Sequence, residues 1–135
     1  MAGIETPLGR GETVLVIDDE LSVRAIAGAL LEAHGYHAIV AEDGPAGVDL
    51  YRERAAEIDL VLTDMMMPGM QGAQVIAALR GINPDVCIVA MSGLVEAQRL
   101  GTTPVAGRLE FLQKPMTGVE MLRVVQQMLA KRPSR

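Results

Sequence analysis

Five short runs of apolar residues alternate along the chain with longer stretches in which apolar positions recur every three or four residues. The runs fall at residues 14–17, 37–41, 58–63, 86–91 and 109–112 and are rich in Val, Ile and Leu. Apolar residues at consecutive rather than alternating positions mark strands buried on both faces. Strands alternating with helices predict an α/β fold, a doubly wound five-stranded parallel sheet with helices on both faces.

The helical stretches carry their own punctuation. In the first, Val23, Ile26, Ala27 and Leu30 form the expected buried stripe, and Gly35 follows His34 where a left-handed cap is expected. The second starts at Asp43-Gly44-Pro45 with Asp43 as N-cap, and buries Val48 and Tyr51. The third uses Val75, Ile76 and Leu79 and is expected to stop at Gly81. The last opens with a capping box, Thr117-Gly118-Val119-Glu120, and presents Met121, Leu122, Val125, Met128 and Leu129 as one stripe. Between Leu94 and Leu109 the segment Gly101-Thr102-Thr103-Pro104 breaks the pattern, which predicts a short or irregular fourth helix. Residues 1–12 read as a flexible linker or tail, 13–131 as the folded domain and 132–135 as a tail.

Composition narrows the function. With 135 residues, half of them hydrophobic, the chain has material for one domain with an ordinary core. Twelve Lys and Arg against 17 Asp and Glu give a net charge of −5, which argues against direct nucleic-acid binding. No apolar stretch approaches the ~20 residues of a membrane span, and the N-terminus lacks a signal-peptide pattern, so a cytoplasmic location is expected. The single Cys87 lies within an apolar run and reads as a buried, reduced thiol.

Polar groups at the ends of the apolar runs carry the chemistry. Right-handed crossovers place the carboxyl ends of all strands along one edge, where ligands of such folds bind. Asp18 and Asp19 follow the first run, Asp64 the third, Ser92 the fourth and Lys114 the fifth. At ~4 Å and an effective dielectric of ~20, each pair of like charges costs on the order of 4 kcal/mol before screening. Lys114 supplies one compensating charge, and a divalent cation supplies more. Oxygen ligands without Cys or His favour Mg²⁺, with Mn²⁺ as an alternative. A hard cation, a lysine and a hydroxyl suit the handling of a phosphoryl group. Asp64 stands alone at its strand end and is the expected nucleophile, able to form an acyl phosphate; the Asp18-Asp19 pair is better placed to hold metal.

These pieces together resemble the receiver domain of two-component response regulators, from about Thr13 to Ala130. The matching segments are Val14-Leu15-Val16-Ile17-Asp18-Asp19-Glu20, Thr63-Asp64-Met65-Met66-Met67-Pro68-Gly69, Met91-Ser92-Gly93 and Phe111-Leu112-Gln113-Lys114-Pro115. The resemblance implies a flavodoxin-like fold with sheet order 2-1-3-4-5. It implies that Asp64 accepts a phosphoryl group from a phosphohistidine on a histidine kinase or phosphotransfer protein. Mg²⁺ would be bound by Asp18 or Asp19, Asp64 and the Met66 backbone carbonyl. Ser92 would be the hydroxyl that moves toward the phosphoryl group, Lys114 the cation that contacts it, and Phe111 the switch aromatic. A cis peptide between Lys114 and Pro115 is implied as well. Met66 and Leu94 match the positions flanking the path of attacking water, and both are apolar, so slow self-dephosphorylation is expected.

Two other readings stand beside this one. An aspartate-nucleophile phosphatase of the haloacid dehalogenase type would carry a second carboxylate where this chain has Met66. A pseudo-receiver that binds partners without phosphorylation would lack part of the acidic set, all of which is present. As an isolated chain the protein is not expected to be an enzyme beyond assisting its own phosphorylation and dephosphorylation. A shortened fourth helix argues for a monomer or weak dimer. Only Arg132-Pro133-Ser134-Arg135 follows the last helix, so the chain is expected to be a stand-alone regulator or a piece of a larger protein. The segment around Asp18-Asp19 and the Leu-Gln-Lys-Pro ending are most similar to the C-terminal receiver of hybrid sensor histidine kinases.

Overall fold

In the computed structural model, which describes residues 9–67, 69–92, 108–114 and 116–131, the five apolar runs form five parallel strands. These are β1 (Thr13–Ile17), β2 (His37–Ala41), β3 (Ile58–Asp64), β4 (Cys87–Ser92) and β5 (Arg108–Gln113), in the sheet order β2-β1-β3-β4-β5. In the middle of the sheet, Leu15 lies opposite Ile39 of β2 on one side and Val61 of β3 on the other. The order reverses beside β1, so the crevice at the carboxyl edge opens between β1 and β3.

Alternate residues of each strand point to opposite faces, and in the inner strands β1, β3 and β4 both faces are covered. Val14, Val16, Leu60, Leu62, Val89 and Met91 face one helical layer, while Leu15, Ile17, Val61, Ile88 and Ala90 face the other. This double burial is why the inner strands read as largely apolar runs. The layers are built from α1 (Leu21–Ala33) and α4 (Gly118–Lys131) on the first face, and α2 (Gly44–Arg54) and α3 (Gly72–Ile82) on the second. None of the helices among the described residues is long and apolar enough to cross a membrane.

The expected caps form. The Asp43 carboxylate accepts from the Ala46 amide at 2.8 Å. At the start of α4, the Thr117 amide donates to Glu120 Oε1 at 2.8 Å and the Glu120 amide donates to Thr117 Oγ1 at 3.1 Å, a reciprocal box. Gly35 takes φ +91°, and the preceding chain is tied to the same turn: the Gly9 amide donates to the His34 carbonyl at 2.6 Å and the Gly11 amide to the Gly35 carbonyl at 2.8 Å.

Three expectations need revision or fall elsewhere. The face of α1 that meets the sheet carries Ala27 and Leu31, four residues apart, whereas Ile26 is 61% exposed. Val23, Ile26 and Leu30 instead line a groove shared with Met116 and Met121 beside the start of α4. Gly81 does not end α3; it lacks a left-handed φ, and the helix runs to Ile82, where the Asn83 amide closes on the Leu79 carbonyl at 2.9 Å. The expected fourth helix falls in residues 93–107, outside the described residues, and α4 is the helix predicted last.

One glycine sets how closely α3 approaches the site. A Cβ at Gly72 would lie 2.7 Å from Met65 Cα, and the Gly72 amide donates to the Met65 carbonyl at 3.1 Å. Backbone cannot yield as a side-chain tip can. Gly72→Ala therefore lowers stability by about 1–3 kcal/mol through overpacking, although alanine is the better helix former. Urea unfolding of the variant checks this; a gain in stability would show that α3 is free to shift.

Candidate functional site

Each strand that points its carboxyl end at the crevice delivers one polar group there. Asp18 directly follows β1 and is fully buried, with its amide continuing the ladder to the Ala41 carbonyl at 3.2 Å. Its Oδ1 accepts from the Glu20 amide at 2.9 Å, while Arg24 of α1 donates to its backbone carbonyl at 2.8 Å. The turn is thus held from both sides, and Asp18 Oδ2 is left without a hydrogen-bond partner among the described residues. Asp19 is exposed.

Asp64 is the last residue of β3 and 3% exposed. The Met65 amide donates to the Met91 carbonyl at 2.9 Å, which carries strand pairing one step past the carboxylate, and the Met66 amide donates to Asp64 Oδ1 at 3.2 Å. Ser92 closes β4, fully buried, and its Oγ has no partner among the described residues. Beyond β5 the Lys114 amide donates to the Ser92 carbonyl at 2.8 Å, which aims the side chain back across the sheet edge. Its Nζ lies 3.3 Å from Asp64 Oδ1 and 3.6 Å from Asp18 Oδ2. Residues far apart in sequence meet at one point because the strands are parallel and end along the same edge of the sheet.

The charges in this crevice are unequal. Burial raises the Asp18 carboxyl above its ordinary range, and the carboxylates of Asp64 and Asp19 push in the same direction, against the Glu20 amide and Lys114. Burial alone would lower the Lys114 ammonium, but attraction to Asp64 and Asp18 outweighs it, and the group is held above its usual value. The lysine is therefore a fixed cation at neutral pH. One cation faces three carboxylates whose oxygens lie within 4.8 Å of one another. The excess negative charge, the all-oxygen donor set and an Asp18 Oδ2 without a hydrogen-bond partner among the described residues fit a hard divalent cation.

The remaining candidates lie at several places in the fold. Phe111 sits on β5 opposite Ala90, half-buried against the α2 and α3 layer. Met65 and Met67 are buried, each 5% exposed, but Met66 between them is 60% exposed. Leu94 and the Lys114-Pro115 peptide lie outside the described residues. His34 holds the end of α1, with Nδ1 2.8 Å from the Leu30 carbonyl, and His37 is exposed on β2; neither reaches the crevice. Cys87 is buried as a free thiol. Sequence reasoning missed Arg24, whose role depends on a bond to a backbone carbonyl six residues earlier that no motif announces.

The chain is similar to known proteins. Residues 14–126 match the profile of the response regulator receiver domain. The chain is 31% identical over 126 residues, 93% of its length, to the sensor kinase CckA of Brucella abortus, of which it spans 13%. Among solved structures, the response regulator receiver protein of Sinorhizobium medicae superposes with a TM-score of 0.78 at 28% identity, covering 91% of this chain and 98% of that one. The receiver domain of the hybrid histidine kinase CckA superposes with a TM-score of 0.72 at 29% identity, covering 87% of this chain and 98% of that one.

Proposed function

Because the chain belongs to the family of response regulator receiver domains of two-component systems, we propose that Asp64 accepts a phosphoryl group from a phosphohistidine. The donor is carried by a histidine kinase or a phosphotransfer protein. The observation that carries this reading is the Lys114 ammonium 3.3 Å from the Asp64 carboxylate, in a crevice shared with the carboxylates of Asp18 and Asp19.

A carboxylate oxygen of Asp64 attacks phosphorus as the phosphorus–nitrogen bond of the donor breaks, and the bonding pair returns to the imidazole. The product is an acyl phosphate, and no proton is drawn from Asp64, which enters as the carboxylate. Lys114 meets the charge on the phosphoryl oxygens from a position set before the reaction, so little reorganisation is required. The Met66 amide orients the carboxylate through Oδ1. Asp18, Asp19, Asp64 and the Met66 carbonyl would hold Mg²⁺, which would supply further positive charge to the reaction. Ser92 brings a hydroxyl with no other partner among the described residues, ready to donate to a phosphoryl oxygen. Phe111, half-buried on the next strand, turns inward as Ser92 moves and passes the change to the surface around β5. Similarity to the CckA receiver supports a parent protein that is a hybrid kinase, with this domain as an acceptor in its relay.

Incubation with Mg²⁺ and acetyl phosphate, followed by intact mass spectrometry, tests this reading. A phosphoryl adduct that EDTA abolishes is expected; no adduct in the presence of Mg²⁺ overturns it. The exposed thioether of Met66 orients water poorly, so the adduct is long-lived and Met66→Asn shortens its half-life by about tenfold. Rapid decay that Met66→Asn leaves unchanged removes Met66 from this role.

A further inference from the structure

The methionine run after Asp64 is chemically uniform in the sequence and sharply divided in the fold. Of the methionines among the described residues, Met65, Met67, Met91, Met121 and Met128 are each 7% exposed or less. Met70 and Met116 are half-buried, and Met66 alone is open, at 60%. Oxidation of a thioether requires that an oxidant reach the sulfur, so exposure ranks these side chains, with Met66 first. The exposed one is also tied to the acceptor, since its amide donates to Asp64 Oδ1 at 3.2 Å.

We propose that Met66 is a peroxide-sensitive modification site, and that oxidation of its thioether to the sulfoxide shortens the lifetime of the phosphoryl group on Asp64. This rests on the reading of Asp64 as phosphoacceptor. A hydroperoxide supplies the oxygen atom: its O–O bond breaks, a sulfur–oxygen bond forms at Met66 Sδ, the sulfur loses two electrons and the peroxide leaves as water or an alcohol. The change in chemistry is large for a change of one atom. A thioether is a weak acceptor on an apolar chain, whereas a sulfoxide is a strongly polar acceptor. On the residue whose amide is bound to Asp64 Oδ1, it accepts a hydrogen bond from water and holds that water near the acyl phosphate. The burial of Met65 and Met67 makes the response specific, because these neighbours keep packing the loop while Met66 reacts.

The whole chain is treated with hydrogen peroxide, mapped by peptide mass spectrometry, then phosphorylated with acetyl phosphate and Mg²⁺, and adduct decay is followed by intact mass. The expected result is oxidation at Met66 ahead of the other methionines among the described residues, and a half-life at least about threefold shorter. Treatment with methionine sulfoxide reductase restores the original decay, and in Met66→Leu the ratio of decay rates with and without peroxide falls to one. Oxidation that spares Met66, or an adduct whose decay ignores Met66 oxidation, overturns the proposal alone. Failure of the untreated protein to take up phosphate at all overturns the Asp64 assignment and this proposal with it, whatever the oxidation map shows.

Discussion

Lys114→Ala slows phosphoryl uptake from acetyl phosphate by about 10²- to 10³-fold, the effect of removing one preorganised donor from a developing oxyanion. Its Nζ stands between Asp64 Oδ1 at 3.3 Å and Asp18 Oδ2 at 3.6 Å, and the Lys114 amide is bound to the Ser92 carbonyl, so the cation is positioned by the sheet itself. Attraction to the two carboxylates keeps the group protonated: its contribution to stability is complete below the ordinary lysine value and is lost only as the pH rises through the raised folded one. Uptake should therefore owe no part of its pH dependence near neutrality to this residue. The loss in Lys114→Ala is larger than a screened surface pair would give, because both partners are buried. The variant also leaves Asp18 and Asp64 facing each other unopposed, and it is less stable without metal than with it. Quenched-flow sampling with intact mass detection measures the uptake rate; a rate equal to that of the unaltered protein would exclude Lys114 from the reaction.

Asp18→Asn has effects of opposite sign on stability and on metal binding. In the metal-free protein the Asp18 carboxyl is raised mainly by burial, with the carboxylates of Asp64 and Asp19 adding to it. A group raised on folding contributes stability that is fully present below its unfolded value, near 3.8, and is lost as the pH climbs through the folded value. Above the folded value the cost of the ionised form is borne in full. Asparagine keeps an oxygen for the Glu20 amide and removes the charge, so in EDTA the variant unfolds at a higher urea concentration and loses that part of the pH dependence. The same change removes a carboxylate from the cation site and lowers Mg²⁺ affinity by at least about tenfold, as expected for a lost ligand charge. Calorimetric titration with Mg²⁺ and urea unfolding in EDTA read the two effects separately. Lower stability together with unchanged Mg²⁺ affinity would contradict the account.

The strands and the site were legible because one physical rule governs both. A strand buried on both faces is largely apolar, so its end shows in the sequence as a polar group closing an apolar run. Asp18, Asp64, Ser92 and Lys114 were found at such ends and meet in the structure, with strand limits moved by a single residue in β1, β3, β4 and β5. The facing of α1 was not legible. Leu21, Val23, Ile26, Ala27, Leu30 and Leu31 cover more of the helix surface than one face needs, and the choice of Ala27 and Leu31 depends on the neighbouring sheet and α4. The division among Met65, Met66 and Met67 was hidden for a related reason. Three identical side chains carry no pattern, and only the loop leaving β3, held by the Met65 amide on β4 and the Met66 amide on Asp64, turns one outward.

Chemical trapping of the acyl phosphate tests the central assignment most directly. Protein treated with acetyl phosphate and Mg²⁺ is reduced with borohydride, which converts an aspartyl phosphate to homoserine, and its peptides are sequenced by mass spectrometry. Homoserine at position 64 and nowhere else is predicted, with no adduct in Asp64→Asn. Homoserine or stable phosphate at another residue, with Asp64 unchanged, would contradict it.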